Sequence, residues 1–254
     1  MSIVKTVNLH KKYLKPGKKS DYFYAVNGTS LTIETGDIYG ILGPNGAGKT
    51  TTLEMIEGLT DIDEGDAWVD GISVRQEPYK VKKIIGVQLQ TNEYFNHLNL
   101  SELITLFSQL YARQDDPLNL LRRVNLEEKA QAKPQELSGG QQQRFSIACA
   151  LVHEPKVLFL DEPTTGLDPQ AKHNIWELVR KLNGKGMTIV LTTHNMEEAE
   201  YLCNRITIMD HGKIIAEGSP QELILSHAPE PQKAPLHGNL EDVFLALTGA
   251  YLRE

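Results

Sequence analysis

Short, nearly uninterrupted apolar runs recur along the chain, each closed by glycine or by a polar residue. Asp37–Gly43 (DIYGILG), Val157–Asp161 (VLFLD), Met187–His194 (MTIVLTTH) and Ile206–Asp210 (ITIMD) have the length of strands and little polarity on either face. Such runs fit strands covered on both sides, as in a parallel sheet flanked by helices. Three other segments, IVKTVNL near the N-terminus, SLTIETG from Ser30 and DAWVDG from Asp66, alternate apolar and polar positions. That alternation predicts a partly exposed antiparallel sheet beside the main one.

A further strand is expected to end near Leu89, and beyond it the texture changes. LSELITLFSQLYARQ opens on Ser-x-Leu and spaces Leu103, Leu106, Phe107 and Leu110 along one helical face. DPLNLLRRVNL follows, with Pro117 at a first helical position. Residues 91–152 therefore read as a helical insertion in an α/β core made of residues 1–90 and 153–225. Ser226–Pro235 (SHAPEPQKAP) has three prolines and reads as a linker. Residues 226–254 are completed by a last helix, NLEDVFLALTG. Asn239 is its expected cap, Leu240, Val243, Phe244 and Leu247 its buried face, and Gly249 its stop.

Composition narrows the function classes. The net charge of −7 argues against general nucleic-acid binding, which shows as a basic excess. The two cysteines stand in unrelated contexts, and Cys149, inside SIACALV, is expected to be a free buried thiol. No disulfide framework or thiolate metal site follows from them. The N-terminus lacks the apolar segment of a leader, and no segment approaches the roughly 20 apolar residues that span a bilayer. The expectation is a soluble, cytoplasmic chain that reaches a membrane only through a partner. Five lysines between Lys11 and Lys19 read as a solvated hairpin.

The candidate chemistry begins at Gly43–Thr50, GPNGAGKT, which follows one predicted strand and opens a helix. Glycines in that spacing let backbone N–H groups wrap phosphate oxygens, Lys49 reaches the β- and γ-phosphates, and the Thr50 hydroxyl can ligate Mg²⁺. Such a loop needs an acid at the end of a neighbouring strand. VLFLDEP supplies Asp161 for the metal shell and Glu162 to polarise an attacking water. Two carboxylates at the end of a buried strand are costly unless a cation neutralises them. His194 ends another strand, placed either to cap a helix or to bond a γ-phosphate or water. Leu137–Arg144, LSGGQQQR, sets a Ser-Gly-Gly step before a helix, a combination suited to an anion.

GPNGAGKT, LSGGQQQR, LDEPTTGLDP and the strand-end His194, in that order, resemble the nucleotide-binding subunit of an ATP-binding-cassette (ABC) transporter. The resemblance runs from Ile3 to about Leu225. It implies a P-loop NTPase (RecA-like) core with a small antiparallel β subdomain and an inserted α-helical subdomain, using ATP and Mg²⁺. Gly43, Pro44, Asn45, Gly46, Ala47, Gly48, Lys49, Thr50 and Thr51 would hold the phosphates. Ser138, Gly139, Gly140 and Gln141 would close on ATP held by another chain. Gln90, or its neighbour Gln88, would link the metal site to the helical region, and Asp168 would signal between subunits while capping a helix.

Tyr13 matches the aromatic that stacks on adenine, with Phe23 and Tyr24 as rivals across a longer than usual insertion. The implied partners are a membrane permease on the inner face of the cell membrane and a second cassette, identical or different. The tail LEDVFLALTG resembles the branch that exports drugs, lipids or polysaccharides. The alternative is a soluble ATPase of the same superfamily, in translation or DNA repair. The single copy of each motif and the lack of a sustained heptad run weigh against it.

Overall fold

The computed structural model describes residues 1–15, 17–18, 20–90, 93–227 and 240–248. The expected linker from residue 228 onward, Asn239 and Gly249 lie outside the described residues.

The first strands are β1 (Ser2–Leu14), β2 (Tyr22–Thr29), β3 (Thr32–Glu34) and β4 (Ile38–Leu42). Helix α1 (Lys49–Glu57) leads to β5 (Glu64–Val69), β6 (Ile72–Ser73), the short α2 (Pro78–Lys82) and β7 (Ile85–Gln88). The helical region holds α3 (Leu100–Leu110), α4 (Pro117–Arg123), two 3-10 turns and α5 (Gly139–Ala150). Then come β8 (Val157–Asp161), α6 (Pro169–Asn183), β9 (Thr188–Thr193), α7 (Met196–Leu202), β10 (Arg205–Asp210) and β11 (Lys213–Gly218). Helices α8 (Pro220–His227) and α9 (Leu240–Thr248) close the described chain.

Both predicted sheets are present. The first is antiparallel, in the order β2-β1-β5-β6 with β3 also on β1. The second has the order β11-β10-β4-β9-β8-β7, parallel throughout except for β11 at its edge. Strands β4, β8 and β9 are buried at every residue, which is why they carry no polar alternation. Strand β8 shows what each face does. Leu158 and Leu160 join the core under the helical region, whereas Val157 and Phe159 join the core against α1 and the antiparallel sheet. This two-sided burial fixes the carboxyl ends of β4, β8 and β9 side by side, where an open α/β sheet presents its ligand crevice.

Local signals explain most helix boundaries, and several expectations shift. Helix α3 starts one residue before the predicted serine, because Asn99 caps it and forms a reciprocal box with Glu102. Its apolar face is wider than its core: Leu103 and Ile104 are buried, Phe107 is half-buried and Leu110 is 74% exposed. Pro117 does open α4, behind an Asp116 cap. The linker begins later than Ser226, because α8 continues through His227. Ser219 and Glu222 box its start, and the Ser226 hydroxyl donates to the Glu222 carbonyl (2.7 Å). In α9, Leu240, Val243 and Phe244 are buried in the main core as predicted. Cys149 is a free thiol but only half-buried.

Candidate functional site

Strand β4 delivers Gly43 and Pro44 to the crevice, both buried, and the chain then turns through exposed Asn45 and Gly46 into α1. Gly48 caps α1 with φ of 100°, and a Cβ there would stand 2.2 Å from the Ala25 carbonyl oxygen. Only glycine fits both demands. Ala47 packs into the core and Thr51 is half-buried. Gly43, Pro44 and Ala47 thus shape the loop from beneath, while Asn45, Gly46, Gly48, Lys49, Thr50 and Thr51 line the cleft. The first amides of α1 have no helical acceptor, so this end favours an anion.

Lys49 is buried, and its Nζ donates to the carbonyls of Gly43 (2.9 Å) and Pro44 (3.2 Å). It also lies 3.3 Å from Glu162 Oε1. Thr50 donates its hydroxyl to both oxygens of Asp161, at 3.2 Å each. Asp161 is buried and takes a second hydroxyl bond from Thr192. One hydroxyl and one carboxylate are hard oxygen donors of the kind Mg²⁺ takes alongside water and phosphate. Among the described residues no group of three or more His, Cys, Asp or Glu forms a closed metal cage. The donor set therefore fits an ion shared with a bound phosphate.

Glu162 has a left-handed backbone, φ 46°, a conformation costing a non-glycine residue about 1–2 kcal/mol. Thr192 holds it there, since its carbonyl and hydroxyl both accept from the Glu162 amide (3.2 and 3.0 Å). The Glu162 carboxylate accepts from the Thr165 hydroxyl (3.0 Å) and lies 3.2 Å from His194 Nδ1. Burial alone would raise this carboxyl. Lys49, the Thr165 hydroxyl and His194 outweigh burial and hold it below its ordinary range. The cap of α7 is Asn195, which accepts from the Glu198 amide. His194 is therefore left facing Glu162 in the cleft rather than capping a helix.

The far wall is aromatic. The hairpin of β1 and β2 pairs Tyr13 with Phe23, placing the rings 6.2 Å apart on the cleft. Tyr24 packs instead against His10. Of the three aromatics open in the sequence, two face the site, which has a volume of about 590 Å³.

Gln90 also lines this cleft, while Gln88 is buried and donates to the Leu89 carbonyl. The strand ends at Gln88, so Gln90 stands two residues beyond it rather than at its end.

Ser138 caps α5 and forms a reciprocal box with Gln141. Gly140 is buried with Ala171 of α6 so near that a Cβ would approach to 2.9 Å, whereas Ser138 and Gly139 are exposed. These four residues are outside the P-loop cleft. Gly139 belongs to a neighbouring groove that shares Gln90 and Thr165 with it. Asp168 caps α6 and accepts from the Ala171 amide (2.9 Å).

Thr192 and Thr165 were not among the residues singled out from the sequence. Their one signal is position, at the end of β9 beside His194 and three residues after Glu162.

Comparison with known proteins places the chain in a family. A family model described as ABC transporter matches residues 26–165. A Burkholderia lata protein described as Nod factor export ATP-binding protein I is 39% identical, covering 90% of this chain and 93% of the relative. A relative of the same description from Rhizobium sp. (strain N33) is 44% identical over 80% of this chain and 68% of its own length. Among solved structures, a dimeric post-hydrolysis ATP-binding cassette bound to ADP and Pi superposes with a TM-score of 0.77. It is 32% identical, with 85% of this chain and 98% of that chain covered. An ATP-binding subunit of an ABC transporter superposes with a TM-score of 0.80, at 25% identity, with coverage of 97% and 99%.

Proposed function

The chain belongs to the ABC transporter family, as an ATP-binding and ATP-hydrolysing export subunit, and on that premise we propose how its own residues do this work. The loop from Gly43 to Thr51 holds the phosphates, and Lys49 neutralises the β- and γ-groups. Thr50, Asp161 and Gln90 hold Mg²⁺, which when bound draws charge from the phosphate oxygens. Glu162 orients and polarises the attacking water, and His194 bonds the γ-phosphate or that water. The adenine lies on Tyr13, with Phe23 beside it. Ser138, Gly139, Gly140 and Gln141 contact the γ-phosphate of ATP on a second cassette.

The observation that carries this reading is the division of the parts. Lys49, Thr50, Glu162 and His194 line one cleft, with Asp161 bonded to Thr50, while the exposed Ser138–Gly139 step is not part of that lining. Among the described residues, the Ser138 side chain bonds only within its own helix cap. A second cassette, identical or different, uses it.

The described residues include no helix long and apolar enough to cross a membrane. We place the protein at the inner face of the cell membrane, held by a permease that touches the helical region near residues 91–100. The relatives' description as export proteins and the tail NLEDVFLALTG support export of a drug, lipid or polysaccharide. Purification of the chain from its native membranes tests this. A co-purifying membrane subunit whose transport stops with ATP hydrolysis is the expected result. A chain that yields no membrane partner and works in the soluble fraction would overturn it.

A further inference from the structure

Glu198, in the first turn of α7, is completely buried, at 0% exposure. An acid at this third helical position commonly reaches back to the amide of the cap residue. Here that amide is taken: Asn195 N–H donates to the Thr193 hydroxyl (2.9 Å). The Glu198 side chain turns inward instead. Its Oε1 accepts from the Thr164 hydroxyl and from the Trp176 indole N–H, both at 2.9 Å. The Thr193 hydroxyl stands against the same carboxylate and favours its charged form.

Stability alone does not account for an acid here. Burial raises this carboxyl, and the Thr193, Trp176 and Thr164 donors, with Lys172, offset that only in part. A well-packed apolar side chain of similar volume would avoid the desolvation altogether. What the acid supplies is one fixed acceptor for donors from three segments: the turn after β8, helix α6 and the end of β9. A buried network of this kind rigidifies the segments that it joins and specifies one arrangement of them.

Two of those segments carry the hydrolytic pair. Thr164 stands two residues after Glu162, and it is buried while the next residue, Thr165, is exposed. The turn therefore sends one hydroxyl inward to Glu198 and the next to Glu162 Oε2 (3.0 Å). Strand β9 does the same: Thr193 is buried, and His194 beside it brings Nδ1 to 3.2 Å from Glu162 Oε2. The left-handed backbone of Glu162 (φ 46°) is of the kind that persists only where its surroundings over-determine it. Thr192 holds the near end of that turn, and Glu198 holds the far end through Thr164.

We propose that Glu198 is a positioning residue for hydrolysis: its buried carboxylate, bonded to Thr164 and Trp176 and facing Thr193, fixes Glu162 and His194 relative to each other. It acts through those two residues, since it is buried beneath them and does not line the cleft. The proposal rests on the reading that Glu162 and His194 handle the attacking water, so its test separates the two.

The purified full-length chain and its variants are compared in steady-state ATP hydrolysis and in calorimetric ATP binding. A misplacement of about 1 Å in such a pair can cost roughly 10²-fold in rate. Glu198→Ala should therefore lower kcat at least tenfold, with KM and ATP affinity within threefold of the parent, because the phosphate loop and Tyr13 are untouched. Glu198→Gln keeps an acceptor oxygen for Thr164 and Trp176, and should restore kcat to within threefold of the parent. Thr164→Val removes one donor at nearly constant shape and should lower kcat at least fivefold, which keeps the test open where Glu198→Ala fails to fold. Added to Glu198→Ala, His194→Ala should cost less than threefold, because groups that act as a unit are not additive. A kcat within twofold of the parent for Glu198→Ala or Thr164→Val would overturn the proposal. So would no rescue by Glu198→Gln, an ATP affinity that falls together with kcat, or full additivity with His194→Ala. Glu162→Gln and His194→Ala serve as the controls. Parent-like turnover in both would overturn the reading of the site itself, and the proposal with it.

Discussion

Replacing Glu57 with glutamine should change the pH dependence of stability in a way no surface acid could. The carboxyl titrates near 4.5 when exposed and is pushed up to about 8 in the fold, first by desolvation and then by Asp161 and Glu54. Its folded value is raised, so the native chain holds this proton more tightly than the unfolded chain. Any stability it allows is intact below about pH 4.5 and is lost as pH rises towards 8. At about 1.4 kcal/mol for each pH unit between the two values, the full loss approaches 5 kcal/mol, and water reaching the carboxyl reduces it to roughly 2–5 kcal/mol. For a chain of this size that corresponds to roughly 5–15 °C in melting temperature.

Glutamine has nothing to titrate. The parent and Glu57→Gln should therefore be closely matched in urea unfolding at pH 5, and the variant should be the more stable by that margin at pH 9. The difference between the two proteins cancels every other titrating group. Parallel stability profiles from pH 5 to 9 would show that Glu57 is already satisfied within the isolated chain. That result would refute a desolvated carboxyl at position 57.

The cleft makes its own predictions. Lys49→Ala should reduce ATP hydrolysis to background in a phosphate-release assay, because the buried ammonium beside Gly43, Pro44 and Glu162 is removed; turnover near the parent rate would refute its role. Gly48→Ala should cost at least about 2 kcal/mol and abolish nucleotide binding, since its Cβ meets the Ala25 carbonyl at 2.2 Å; Gly46→Ala, with open space around it, should be the milder change. Tyr13→Ala and Phe23→Ala should each weaken ATP binding by about 1–3 kcal/mol in calorimetry, and Tyr24→Ala, packed on His10, should not; the reverse order would move the base away from the Tyr13–Phe23 pair.

The parts of this fold that were legible in the sequence are those governed by local rules. Strands β4 and β8 announce themselves because burial on both faces leaves an unbroken apolar run. The caps Ser138 and Asp168 stand where a short polar side chain meets a helix start. The less legible parts depend on distant segments meeting. Phe23 reaches the cleft only because the hairpin register sets it opposite Tyr13. Thr192 becomes a support for Asp161 and Glu162 only because β9 lies between β4 and β8. Helix α2 is a single short turn, too brief for a periodic pattern. Glu57 reads as an ordinary charge at a helix end, and its burial emerges only when β7 and the helical region close over α1.

The central claim is that a complete ATP site needs two chains, and the Glu162→Gln protein tests it most directly. Glutamine keeps the side-chain shape while removing the charge that faces Lys49, Thr165 and His194. With the water no longer polarised, and with less repulsion of the γ-phosphate, ATP should stay bound and uncleaved between two cassettes. Gel filtration in ATP and Mg²⁺ should show Glu162→Gln as a dimer, and as a monomer when nucleotide is left out. Adding Ser138→Arg, at an exposed position outside the P-loop cleft, should abolish the dimer while each monomer still binds ATP. A dimer that persists with Ser138→Arg would contradict the split site. A monomeric Glu162→Gln protein in saturating ATP would contradict self-association and assign the second half to a different cassette.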